Sequence, residues 1–163
     1  MKRLRTLMFL GGILSLPAQG ADVLNTKIMT LDLALDIARH TLEDCRKKGY
    51  NTAVVVVDRA GDPQAVLRDA YVSRHAIEIA QRKASAVILS GVSTRDFRAN
   101  RADIRAELNE VRGILLLQGG LPIRAGGSLV GAVGVSGAPG GEKDEACAAA
   151  GIKVVQERLD FAD

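Results

Sequence analysis

Apolar residues recur at intervals of three and four in two long stretches of the chain, which predicts two amphipathic helices. The first begins after Thr30, a residue type suited to the N-cap position, and ends before Gly49. Its predicted inner stripe is Leu31, Ala34, Leu35, Ala38, Leu42 and Cys45. The second helix runs from Ser73 to Leu89, and its predicted inner residues are Ile77, Ala80, Ala84, Val87 and Ile88.

Short runs of aliphatic residues predict five strands. These runs are residues 54–57, 65–68, 114–117, 122–125 and 129–136. Gly61 separates the first two runs, and Gly126 with Gly127 separates the last two, so each pair is predicted to form a hairpin. The polar stretch from residue 94 to 111 carries little apolar stripe and is predicted to lie at the surface.

A last helix begins near Glu142 and follows the final strand. The residues predicted to face inward from it are Ala146, Cys147, Ala150, Val154 and Leu159. Helices before, between and after the hairpins indicate an α+β domain, in which an antiparallel sheet lies between layers of helices.

The first twenty residues have the organisation of a signal peptide. Basic residues at positions 2, 3 and 5 precede an apolar run from Leu7 to Leu16, and small residues stand at positions 18 and 20 before Ala21. We therefore predict a signal peptide over residues 1–20 and a single domain over 21–163, located in the periplasm or secreted. An uncleaved anchor is the alternative, and no membrane span is expected after cleavage.

Charge argues against a nucleic-acid partner. Three of the 22 Lys and Arg residues fall in the first twenty positions, whereas none of the 19 Asp and Glu residues does. The remaining chain is therefore neutral, and its few aromatic residues do not suggest a platform for stacking bases.

The two cysteines, Cys45 and Cys147, lie on the first and last predicted helices. In an oxidising compartment they could form a disulfide between those helices, but two buried free thiols are an equally valid interpretation. Neither cysteine belongs to a C-x-x-C or C-x-x-C-H motif, which disfavours thioredoxin-like chemistry and covalent haem attachment.

Glycine is concentrated between Gly119 and Gly141, where nine of the seventeen glycines occur. Valines interleaved with them predict a strand against which another element packs closely. The spacing G-x-x-G-x-x-G differs from the dinucleotide fingerprint, and no lysine follows in the register of a phosphate-binding loop, so nucleotide binding is not supported.

Three blocks of the sequence resemble the GlcG/HbpS-like (DUF336-type) family, which includes the C-terminal domain of PduO-type proteins. They are LPIRAGGSLVGAVGVSGAP with the following EKDEACAAAG, the block AVVVVDRAGDPQAVLRDA, and AQRKASA. The resemblance covers about residues 30–158. It implies a profilin-like three-layer arrangement, haem as a cofactor, and assembly into homo-oligomers. Leu33 and Ile37, beside His40 and outside the inner stripe, are predicted to be exposed and would suit a subunit contact.

Two histidines, His40 and His75, are candidate axial ligands of haem iron, because each projects from the polar face of its helix. His75 has the better surroundings. Tyr71 lies one turn before it, and Arg82 on the same helix could pair with haem propionates. The alternative interpretation is that these are solvated surface side chains and a half-buried ring.

The family resemblance adds Lys83 and Ser85, because the block AQRKASA matches a segment near bound haem. Asp144 and Glu145 match the family's acidic pair after the glycine-rich loop and are predicted to cap the last helix over that loop. The pairs Glu107 with Glu110 and Glu142 with Glu145 share helix faces, but carboxylates at this spacing are common and no metal site is predicted.

The sequence offers no nucleophile beside a base, which disfavours a hydrolase. Whether the protein is an enzyme of another class stays open. The predicted function is that of an exported haem-binding protein that sequesters haem or degrades it oxidatively. The alternative is a non-catalytic accessory module, which would bind a partner protein or a small organic acid through the glycine-rich loop.

Overall fold

The computed structural model describes residues 25–162, so the predicted signal peptide lies outside the described residues. The elements in chain order are α1 (Leu31–Lys47), β1 (Ala53–Asp58), β2 (Pro63–Arg68), α2 (His75–Ser90), α3 (Thr94–Asn100), α4 (Arg105–Glu110), β3 (Gly120–Ala125), β4 (Ser128–Ser136), α5 (Gly141–Val154) and α6 (Gln156–Asp160). A short 3₁₀ turn, Ala102–Ile104, precedes α4. Within this range, no helix combines the length and the apolar character that a membrane crossing requires.

The strands form one antiparallel sheet in the order β2-β1-β4-β3. Both predicted hairpins are present. Gly126 and Gly127 form the two-residue turn between β3 and β4 with φ angles of +54° and +80°. A two-residue turn of this kind requires left-handed backbone at both positions, which glycine adopts without strain.

The prediction of five strands is wrong, because residues 114–117 are not part of the sheet. Only part of the segment is buried: Ile114 and Leu116 are 8% and 1% exposed and pack with Phe97 and Ala86 against the outer side of α2, whereas Leu117 is 45% exposed. Its backbone amides are satisfied elsewhere. Leu115 donates to the carbonyl of Arg82 at 3.3 Å, and Leu116 donates to the side chain of Asn109 at 2.8 Å.

The sheet lies between two layers of helices, and this confirms the predicted α+β arrangement. Val54 and Val56 of β1 pack with α1 and α5 on one face, whereas Val55 and Val57 pack with α2 on the other. Side chains alternate between the two faces of a strand, so a run of four valines is what a strand buried on both faces requires.

Gly134 of β4 allows α2 to approach the sheet closely. A Cβ atom at this position would lie 1.9 Å from the carbonyl oxygen of Ala80 on α2. We expect Gly134→Ala to lower the free energy of unfolding by about 1–3 kcal/mol, because the helix must move away from the strand. Urea unfolding followed by circular dichroism checks this. Since the obstructing atom belongs to the backbone, adding Ala80→Gly should not restore stability, and full restoration would contradict the explanation.

Helices α1 and α5 pack together through a glycine and a disulfide. The Cα of Gly151 lies against α1, where an added Cβ would be 1.9 Å from Oγ1 of Thr41. Cys45 and Cys147 form a disulfide with a Cα–Cα distance of 5.4 Å. Of the two interpretations that the sequence left open for the cysteines, the structure has the bridged one.

Helix α1 packs against both the sheet and α5, and the buried residues of these two helices differ from the predicted inner residues. Ile37 is fully buried, so the prediction that it is exposed in a subunit contact is wrong. Leu31, predicted to face inward, is 55% exposed, and Val154 of α5 is 60% exposed. A helix that packs against two neighbouring elements buries a wider part of its surface than a single apolar stripe. The buried residues therefore include some that face the second neighbour.

Candidate functional site

The loop 137–140 joins β4 to α5 and separates two surface depressions, and Gly137 lines both. The first, here called the tyrosine groove, has a volume of about 410 Å³ and is lined by Tyr50, Tyr71, Val72, Ala76 and Pro139. The second, here called the lysine pocket, has a volume of about 420 Å³ and is lined by Lys83, Arg98, Gln118, Ser136, Glu142 and Asp144.

A buried ion pair forms the inner wall of the lysine pocket. Lys83 is 3% exposed, and its Nζ donates to Oδ2 of Asp144 and to the carbonyl of Val135, both at 2.8 Å. The other carboxylate oxygen of Asp144 accepts from the backbone amide of Ala138 at 3.0 Å. The pair therefore connects α2, β4, the glycine-rich loop and α5. Asp144 fixes the loop as the sequence suggested, but it does so from inside the fold and not as a helix cap.

The electrostatics of Asp144 reflect two opposing influences. Burial raises the pKa of the Asp144 carboxyl, and this is the largest influence, whereas Lys83 and the Ala138 amide act to lower it. The attraction between Lys83 and Asp144 therefore offsets the free-energy cost of removing both charges from water. It does not add its full value to the stability of the fold.

The two glycines at the start of β3, Gly119 just before it and Gly120 as its first residue, allow the ion pair to form. Gly119 has a φ of +124°, and an added Cβ would lie 2.8 Å from both the Cβ of Asp144 and the Nζ of Lys83. At Gly120 an added Cβ would lie 2.7 Å from the carbonyl of Lys83. Side chains at these positions would displace the pair, so the high glycine content of this region follows from close packing.

The ion pair could not be predicted from the sequence, although the sequence contains one indication of it. Lys83 lies between Ala80 and Ala84 on the inner face of α2, where a lysine is rarely buried without a partner. The acidic partner comes from a helix 61 positions later in the chain. Only the fold brings the two residues together.

The tyrosine groove lies beside the first residue of α2, His75. Tyr71 is 93% exposed, and Nζ of Lys143 lies 5.9 Å from the centre of the Tyr50 ring. The side chain of His75 is exposed. Nδ1 of His40, by contrast, lies 3.5 Å from Oε2 of Glu43, and no carboxylate of the described residues lies within 4.0 Å of His75.

The structure divides the predicted haem-contacting residues among several places. Tyr71 lines the tyrosine groove, and Lys83 lines the lysine pocket. His75 stands in the chain between Ser73 and Ala76, which both line the tyrosine groove. His40 is on α1, which packs on the opposite face of the sheet from α2.

Arg82 and Ser85 line another depression, on a side of α2 away from both the tyrosine groove and the lysine pocket. Arg82 donates to the carbonyl of Ile114 at 2.9 Å and so supports the partly buried segment 114–117. As contacts of haem, all six residues stay predictions. Among residues 25–162, no three His, Cys, Asp or Glu side chains group as ligands for a metal ion.

Comparison with known proteins identifies relatives of this fold and sequence. The family model described as "Haem degrading protein HbpS-like" matches residues 29–153. The crystal structure of HbpS has 34% sequence identity and a TM-score of 0.77, and the alignment covers 86% of this chain and 99% of that chain. No protein of curated function matches the sequence.

Two further structures share the fold at lower identity. The Klebsiella pneumoniae protein ORFY, described as DUF336, is 21% identical with a TM-score of 0.78, over 85% of this chain and 98% of that one. The PduOC:heme complex is 20% identical with a TM-score of 0.69, over 78% of this chain and 94% of that one.

Proposed function

Because the chain belongs to the HbpS-like family, we propose that it binds haem, and that it does so at the tyrosine groove. The observation that carries the location is His75, an exposed imidazole without an acidic partner, standing beside a groove with aromatic walls. Such an imidazole is free to ligate iron, whereas His40 is already close to Glu43.

The residues of the groove fit the chemistry of haem. Tyr50, Tyr71, Val72 and Pro139 supply rings and aliphatic surface for one face of a macrocycle. Lys143, beside Tyr50, supplies a cation that can pair with a propionate. Bound haem would supply iron chemistry with oxygen or peroxide, and the chain would supply the ligand, the apolar wall and the charge.

The location of the protein is also part of the proposal. We infer export to an oxidising compartment, supported by the signal-peptide pattern of residues 1–20 and by the disulfide between Cys45 and Cys147. Self-association is a further expectation, for which the 78% exposed Ile28 and the 55% exposed Leu31 provide apolar surface.

Oxidative degradation is the second candidate role, favoured by the description of the family model as haem-degrading. It differs from sequestration in an observable way. A protein that only sequesters haem keeps its Soret absorbance on addition of peroxide and a reductant, whereas a degrading protein loses that absorbance and releases iron.

His75→Ala is expected to weaken haemin binding by roughly tenfold or more, because the bond to iron is lost while the apolar contacts remain. The measurement is a haemin titration followed at the Soret band, with thermal unfolding to verify the fold. His40→Ala is the matched control and should bind as the unaltered protein does. If His40→Ala weakens binding and His75→Ala does not, the proposed location is wrong.

A further inference from the structure

Three arginines from α3 and the start of α4 surround one depression next to the lysine pocket. Arg95, Arg98 and Arg105 line it together with Ala99, Ala102 and Gln118, and its volume is about 340 Å³. We call it the arginine groove. The sequence alone favours a solvated face here, since acidic residues interrupt the basic ones, but the fold turns these three guanidinium groups toward the same space.

The arginine groove is continuous with the lysine pocket, because Arg98 and Gln118 line both. The lysine pocket adds the hydroxyl of Ser136 and the start of α5, where the N-cap residue Gly140 has no side chain to bond the first amides. Most polar groups along the two depressions are therefore donors of hydrogen bonds. Asp144 uses both carboxylate oxygens within the protein. The other acid of the lysine pocket is Glu142, whose carboxylate lies against Gly140 at the start of α5.

Two of the three charges of the arginine groove are not neutralised internally, whereas Arg95 contacts Asp96 at 3.4 Å as well as Glu145. Among the described residues, Arg98 and Arg105 have no carboxylate within 4.0 Å. Arg95 is held in place by Glu145, whose Oε1 lies 3.2 Å from its Nη1. Glu145 is only 8% exposed and is therefore a fixed partner, whereas the Arg95 side chain is 62% exposed. Two unpaired guanidinium groups and one held in place form a preorganised site for an anion.

We propose that the arginine groove binds a small dicarboxylate, with one carboxylate at Arg98 and Gln118 and the other at Arg105. Two unpaired guanidinium groups match two carboxylates in charge and in planar, bidentate geometry. The volumes of the two depressions suit a small molecule, and no aromatic side chain lines either one, so a nucleotide base would find no stacking partner. This site is separate from the tyrosine groove and does not depend on haem.

Isothermal titration calorimetry of the purified protein at low ionic strength tests the proposal. The probes are succinate, acetate and inorganic phosphate. We expect saturable binding of succinate at one molecule per chain, and weaker binding of acetate, which carries a single carboxylate. Absence of saturable succinate binding overturns the proposal, and tighter binding of phosphate than of succinate overturns the assignment to a dicarboxylate.

Two charge-removing variants and one control locate the site. Arg98→Gln and Arg105→Gln should each raise the dissociation constant for succinate by roughly tenfold or more. Arg101→Gln is the matched control, because Arg101 lies between Arg98 and Arg105 in the chain but does not line the groove, and its Nε lies 3.5 Å from Oδ1 of Asp103. An equal loss in the control would show a nonspecific charge effect and would overturn the site. Haemin titration of Arg98→Gln should give unchanged affinity, which keeps this proposal distinguishable from that of haem binding.

Discussion

Lys83→Met is expected to lower the free energy of unfolding by about 3–5 kcal/mol, one of the two largest effects of a single change in this protein. The substitution keeps the length and volume of the side chain but removes the charge opposite Asp144. Asp144 is only 3% exposed, and it would remain buried with a single backbone amide as its donor. The decrease in the free energy of unfolding, here called the deficit, therefore measures the cost of an uncompensated buried charge and not of lost packing.

The pH dependence of this deficit distinguishes charge from packing. Burial raises the pKa of the Asp144 carboxyl, and without Lys83 that pKa should rise further. A raised pKa means that the folded state binds the proton more tightly than the unfolded state does, so stability is lost as pH rises through the folded-state pKa. The deficit of Lys83→Met should accordingly be smallest in acid, near and below the ordinary pKa of an aspartate, and grow toward neutral pH.

Two further variants complete the test, which is made by urea unfolding at several pH values. Lys83→Met combined with Asp144→Leu should recover most of the lost stability, because no charge is then buried. Lys153→Met removes an exposed lysine from α5 and should change stability by no more than about 0.5 kcal/mol. A Lys83→Met protein as stable as its parent at neutral pH would show that the ion pair has no structural role.

Reduction of the disulfide between Cys45 and Cys147 is expected to lower the free energy of unfolding by about 2–5 kcal/mol. The two residues are separated by 102 positions, so the bond constrains most of the domain when it is unfolded. The chain-entropy estimate for a loop of this length is about 4.7 kcal/mol. Both residues are fully buried, and the reduced thiols can stay in the core as small apolar groups.

Guanidinium unfolding with and without reductant measures this effect. The double variant Cys45→Ala with Cys147→Ala is the control, because it should be less stable than the oxidised protein and insensitive to reductant. If reductant leaves the stability of the unaltered protein unchanged, the two cysteines are not bonded in solution.

The parts of the fold that depend on local chemistry could be predicted from the sequence. Thr30 caps α1, with its Oγ1 accepting from the amide of Leu33 at 3.3 Å, and the glycine pair forms the β3–β4 turn. The wrong predictions concern residues whose environment is set by distant elements. An aliphatic run such as 114–117 indicates burial, but the sequence does not show whether its amides bond to a strand or to a side chain such as Asn109. Ile37 was misplaced because the helix that covers α1 comes from the other end of the chain.

The same distinction holds for the candidate sites. Tyr71 and His75 are four residues apart and could be associated from the sequence, and the family resemblance supplied haem as the ligand. The other walls of the tyrosine groove come from distant parts of the chain. Tyr50 follows α1, and Pro139 lies in the loop before α5. The arginine groove likewise combines residues of α3, of the following turn and of α4 with Gln118. Only the fold shows that its arginines line the same depression.

Binding of haem at the tyrosine groove, with His75 as the ligand of iron, is the proposal on which the function depends. The most direct measurement is the crystal structure of the protein with haemin, prepared at the stoichiometry found by titration. We expect iron bonded to the imidazole of His75, with one face of the macrocycle against Tyr50 and Tyr71. Iron bonded to His40, or haem bound anywhere outside the tyrosine groove, would contradict it.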